Sequence, residues 1–181
     1  MKKALAWTLT LLVTTCLWAQ NTNPEPIFPI VQGFGGIFDA PHATEKPDPT
    51  LEYKVVIDVA TGDDNKSEPF MSLINIARLM NLHAMGGVSE QNIQVVAVLH
   101  KDALWAVLSQ EAYREKFGVD NPHIPLFQEL KRHGVKLLVC SQSLFKREVP
   151  YQLVTPEVEV AISMLTTMTT YQLKGYAALK F

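Results

Sequence analysis

The chain has 181 residues, 48% of them hydrophobic and 19% charged, with a formal net charge of −2. It is too apolar for a disordered polypeptide, and without a basic cluster it offers no surface for nucleic acid. Its length is enough to bury one ordinary core, and two cysteines, Cys16 and Cys140, are too few for a disulfide scaffold.

In chain order, Lys2 and Lys3 precede an uncharged apolar stretch from Ala4 to Trp18 and the small residue Ala19. This pattern predicts a signal peptide over residues 1–19, and with it a periplasmic or secreted protein that has no stable membrane span after cleavage. The run Val13-Thr14-Thr15-Cys16 also bears a faint lipoprotein pattern, with lipidation of Cys16 as the alternative. Either way, Cys140 is left as the only free thiol. In an oxidising compartment it must be buried, pair between chains, or react.

Residues 20–50 contain Pro24, Pro26, Pro29, Pro41, Pro47 and Pro49, which predicts an extended Pro/Gly-rich arm rather than regular structure. Its apolar stretch Ile30 to Phe38 predicts packing against the domain or a neighbouring subunit. Gly33, Gly35 and Gly36 read as a packed turn, since no strand precedes them as a phosphate loop requires.

Residues 51–181 alternate strand and helix patterns, the mark of one α/β domain with a mostly parallel sheet of about five strands covered on both faces. Strands are predicted at 53–59, 93–99, 135–140, 158–162 and 176–180, the first four apolar enough to be central. Helices are predicted at 68–85, 101–108, 124–133 and 164–174, with a short one starting at Ser141. Ser67 is placed to cap the first helix. Gly134 and Gly175 each follow a helix and precede an apolar residue, as in a left-handed terminal turn.

Parallel strands deliver their last residues to one rim, where open α/β folds place their ligands. Asp58, His100 and Cys140 fall at the ends of the first three predicted strands. A thiol beside an imidazole and a carboxylate can be stabilised as the nucleophilic thiolate. Ser141, Gln142 and Ser143 follow as candidate ligand-binding donors, and Lys101, Lys146 and Arg147 add positive charge. Each has a plainer reading: Asp58 as a turn acceptor, His100 as a cap, Cys140 as a packed side chain. His42, His83, His123 and His133 share no ligand spacing, so neither metal nor cofactor is expected. Met164, Leu165 and Met168 read as core, and the threonines of 166–170 sit oddly in a helix unless it meets a subunit partner.

The segments Leu130 to Ser143, Val158 to Leu165 and Tyr171 to Tyr176, with Asn121-Pro122, Val96 to His100 and Tyr53 to Asp58, resemble the exported branch of the DsrE/DsrF-like family in order and spacing. The resemblance implies a three-layer α/β/α domain that assembles into trimers or hexamers. It also implies that Cys140 matches the cysteine that carries sulfur as a persulfide in cytoplasmic relatives, exchanging it with donor and acceptor proteins. In similar exported sequences the histidine matching His100 is followed by glycine, where this chain has Lys101. The alternative is a non-catalytic oligomeric protein that binds a small ligand and merely packs its cysteine.

Overall fold

The computed structural model describes residues 24–181, so the predicted signal peptide and Cys16 lie outside the described residues. Five strands form one parallel sheet: β1 (Tyr53–Val59), β2 (Ile93–Leu99), β3 (Lys136–Cys140), β4 (Glu159–Ala161) and β5 (Ala177–Lys180), in the order β4-β3-β2-β1-β5. Helices α1 (Met71–Met85), α2 (Gln110–Phe117), α3 (His123–Arg132), α4 (Ser141–Lys146) and α5 (Met164–Leu173) connect them.

The strand order fixes the layers. From β1 to β4 the chain steps outward in one direction, and right-handed crossovers put the intervening helices on a single face. The return from β4 to β5 reverses direction and carries α5 to the other face. Alternation along the strands records both sides. Val55, Ile57, Val95, Ala97, Leu137 and Val139 join Leu73, Ile76, Leu126 and Leu130 in the larger core. Val56, Val96, Val98 and Leu138 pack instead against Met164, Met168 and Tyr171.

A buried amide ties the arm to the domain. Asn81 of α1 accepts hydrogen bonds from the N–H groups of Ile30 and Val31, 2.9 Å each, and donates to the carbonyls of Val31, Phe34 and Gly35. Gly35 has φ +61°, and a Cβ there would collide with the backbone of Arg78 and Ala77. Gly35, and Gly36 against Pro26, therefore serve close packing, whereas Gly33 has open space beside it.

Several predicted boundaries need correction. The first helix starts at Met71, not at residue 68, and Ser67 does not cap it. Glu68 precedes Pro69 and is biased away from helical geometry, while Asp63 reaches in to accept the Met71 N–H at 2.5 Å. Residues 101–107 form a 3₁₀ segment rather than an α-helix. Helix α2 falls where no helix is predicted. Strand β4 is a short edge strand, not a central one. Gly134 and Gly175 do take left-handed backbone, at φ +76° and +83°. The threonines of α5 bond its own backbone, with the Thr166 and Thr167 hydroxyls donating to the Ser163 carbonyl.

Candidate functional site

Strand exits diverge at one place. After β3 the chain turns into α4 on one face, whereas after β4 it turns into α5 on the other. Such a divergence opens a crevice beyond the carboxyl ends of the strands. Cys140, the last residue of β3, stands at this crevice, and the start of α5 lies across it.

Cys140 is a free thiol, 4% exposed in the single chain. Burial is the largest influence on its pKa and pushes it up. The Met164 N–H, the hydroxyl and N–H of Ser143 and the N–H of Gln142 oppose that, and together they hold the thiol below its ordinary value. These donors surround the sulfur without any of them closing a tight capping bond at the start of α4. The Met164 amide, at the opening of α5, is the contributor that sequence reading missed. Its signal was available in Ser163, whose hydroxyl accepts the Leu165 N–H and marks where the helix begins.

Asp58, His100 and Cys140 share the α5-side face, each two residues beyond a buried member of that face: Val56, Val98 and Leu138. The Nε2 of His100 lies 2.5 Å from Oδ1 of Asp58. An ionised carboxylate only accepts, so the Nε2–H donates and the ring is fixed in one orientation. Cys140 follows Val139, which pairs with Leu99, so it is level with His100 on the adjacent strand. No hydrogen bond joins the imidazole to the thiol. Lys180 of β5 pairs in register with Asp58, extending the polar row by one strand.

The remaining candidates hold the rim together. The Ser141 hydroxyl donates to the Ile162 carbonyl at 2.7 Å, and Gln142 Nε2 reaches the same oxygen at 3.4 Å, so both side chains staple α4 to the end of β4. At the far end of α4, Arg147 donates to Asp102 at 2.7 Å and lies 5.3 Å from the Trp105 ring centroid. Helix α4 buries only Leu144, and this anchoring compensates for its small apolar contact. Lys101 has φ +48°, a conformation that glycine adopts more easily. Lys146 is exposed at the end of α4.

Among the described residues no group of three or more His, Cys, Asp or Glu side chains is placed to hold a metal ion. None of the described helices is long and apolar enough to cross a membrane. The buried His123 has a structural part: its Nε2 accepts the Phe70 N–H at 3.2 Å and its Nδ1 faces Asn121 Oδ1 at 2.8 Å. Burial, with the nearby charge of Lys66, pushes its pKa down to about 3.

A parallel α/β/α domain with one polar-surrounded thiol at its carboxyl rim defines the class of protein. The model of the DsrE/DsrF-like family matches residues 54–181, and the chain belongs to that family. Among solved structures, two are similar to it. A protein of unknown function, MTH1491, from Methanobacterium thermoautotrophicum superposes with a TM-score of 0.55 at 19% identity, covering 71% of this chain and 99% of that one. The ychN protein from E. coli gives a TM-score of 0.49 at 21% identity, with the same coverage. No curated protein matches the chain.

Proposed function

We propose that Cys140 accepts a sulfane sulfur and passes it on by thiol exchange, in an exported member of the family. In the accepting step the Cys140 thiolate attacks the outer sulfur of a persulfide or polysulfide. A sulfur–sulfur bond forms on Cys140, the donor's sulfur–sulfur bond breaks, and the donor leaves as a thiolate. In the releasing step an acceptor thiolate attacks that same outer sulfur and Cys140 departs as a thiolate, so the exchange involves no net oxidation. Lowering the pKa of Cys140 helps both steps, by supplying the nucleophile and by improving the leaving group.

The observation that carries this reading is the set of four donors around the sulfur, which overcomes the effect of burial. The His100–Asp58 pair beside it supplies a fixed polar wall, and donor and acceptor proteins are the expected partners. The test is intact-mass measurement after exposure to polysulfide. A one-sulfur adduct should form on the protein and be absent from Cys140→Ser. Failure to form it, under conditions that modify an ordinary exposed thiol, overturns the proposal.

A second reading draws on the 4% exposure of Cys140. In it the rim binds a small ligand and the cysteine only packs. A folded protein whose thiol resists alkylation at every pH, and whose ligand is held equally well by Cys140→Ala, would favour that reading.

A further inference from the structure

Asp58 occupies only one nitrogen of His100, and the fold decides where the other one points. His100 follows the last residue of β2, but its backbone stays extended at φ −155° and ψ −176°, and its N–H donates to the Val59 carbonyl at 3.0 Å. The ladder with β1 thus runs one residue further, which holds the side chain on the α5 face beside Cys140. Strand β2 lies between β1, which carries Asp58, and β3, which carries Cys140. The two nitrogens of an imidazole point to nearly opposite sides of the ring, so turning Nε2 back to Asp58 turns Nδ1 forward and toward β3. The residue is only 5% exposed. Among the described residues Nδ1 has no hydrogen-bond partner, and no fully buried side-chain nitrogen or oxygen is left without one. Nδ1 therefore reaches solvent, and the opening on that side of the ring is the crevice at the thiol.

We infer that Nδ1 of His100 accepts the proton of an incoming acceptor thiol as sulfur leaves Cys140, with Asp58 as the positioning residue behind the ring. This role rests on the sulfur-transfer reading of Cys140. An ionised Asp58 holds the ring proton on Nε2, so a neutral ring presents a lone pair at Nδ1. That is the arrangement of a base oriented by a third group. The imidazole and the Cys140 thiol form no hydrogen bond with each other, and the groups that favour the thiolate are backbone N–H groups and the Ser143 hydroxyl. Cys140 thus ionises without His100. An acceptor thiol of ordinary pKa arrives protonated at neutral pH and must lose that proton to become a nucleophile.

In the step, the acceptor S–H proton moves to Nδ1 while the acceptor sulfur attacks the outer sulfur of the Cys140 persulfide, in its protonated form. The new sulfur–sulfur bond leaves a persulfide on the acceptor. The old one breaks with its electron pair staying on Cys140 as a thiolate, and the imidazolium then returns its proton to water. Sulfur is exchanged with no net oxidation or reduction.

The experiment loads the protein with polysulfide, removes the excess, and follows loss of the one-sulfur adduct by intact mass. Two acceptors are compared at mildly alkaline pH: mercaptoethanol, which has a proton to lose, and sulfite, which has already lost its own. In His100→Gln the ratio of the mercaptoethanol rate to the sulfite rate should fall roughly 100-fold, the low end of what a positioned general base contributes. Asp58→Asn keeps the imidazole but offers an amide that can donate to Nε2 and move the ring proton to Nδ1, so the ratio should fall there as well. Circular dichroism verifies the folding of both variants. A merely structural wall would slow both acceptors alike and leave the ratio where it was. That result, or a ratio that rises, overturns the inference and leaves sulfur transfer by Cys140 standing, whereas a wild type that takes up no sulfur overturns both.

Discussion

The imidazole of His100 and the carboxylate of Asp58 meet at 2.5 Å across two neighbouring parallel strands, on the face that also carries Cys140. Their register places Asp58 opposite Val98, two residues short of His100, so the histidine leans back along the strand to reach its partner. Removing the acceptor should leave a buried ring N–H unpaired. Asp58→Ala is expected to cost about 1–3 kcal/mol in urea unfolding. Its effect on sulfur loading should be partial, whereas Cys140→Ser should abolish loading.

The thiol's reactivity follows from its donors. Alkylation of folded wild type by iodoacetamide, followed against pH, should show a midpoint below that of an ordinary cysteine, since the Met164, Ser143 and Gln142 donors more than offset burial. Ser143→Ala deletes the hydroxyl and should move the midpoint upward. A midpoint unchanged in Ser143→Ala would remove that hydroxyl from the account.

His123 should make the fold sensitive to acid. Its folded pKa is about 3 against an ordinary 6.5, so between those values the unfolded chain binds the proton and the folded chain does not. Stability is therefore full above about pH 6.5 and falls as the pH drops toward 3, by a few kcal/mol in all. His123→Gln keeps a donor and an acceptor without titrating. It should flatten this part of the pH–stability curve at a neutral-pH cost of about 1 kcal/mol.

Asn81 gathers five backbone groups of the arm around one amide. Asn81→Ala should cost about 2–4 kcal/mol and expose the arm between residues 28 and 36 to limited proteolysis. Gly35→Ala should do the same by a different route, through its left-handed backbone and its collision with α1.

Lys101 holds an unfavourable left-handed conformation directly after His100. Lys101→Gly should raise thermal stability by about 0.5–1 kcal/mol, with the larger freedom of glycine in the unfolded chain offsetting part of the relief.

Some elements were visible in the sequence because their signals are local. The apolar runs of β1, β2 and β3 and the glycines at 134 and 175 mark strands and helix ends without reference to anything distant. Helix α2 was missed because it buries only Ala112 and Tyr113, so it carries little apolar periodicity. Its punctuation was nonetheless present: Ser109 accepts the Ala112 N–H, and Gly118 ends the helix at φ +75°. Strand β4 read as central because Val158, Val160 and Ile162 are β-branched, and nothing in their types says that no further strand lies beyond them.

The sequence by itself determined an alternating α/β chain and put its one domain thiol at the end of an apolar strand, since periodicity and turn chemistry act over a few residues. Only the tertiary structure decided the order β4-β3-β2-β1-β5, the divergence of α4 and α5 around Cys140, the union of His100 with Asp58, and the approach of the Met164 amide to the sulfur. The last two join residues 42 and 24 positions apart, and β1 pairs with β5 across 122 positions; all depend on strand register and on which face each crossover takes, physical choices settled by packing the whole sheet at once.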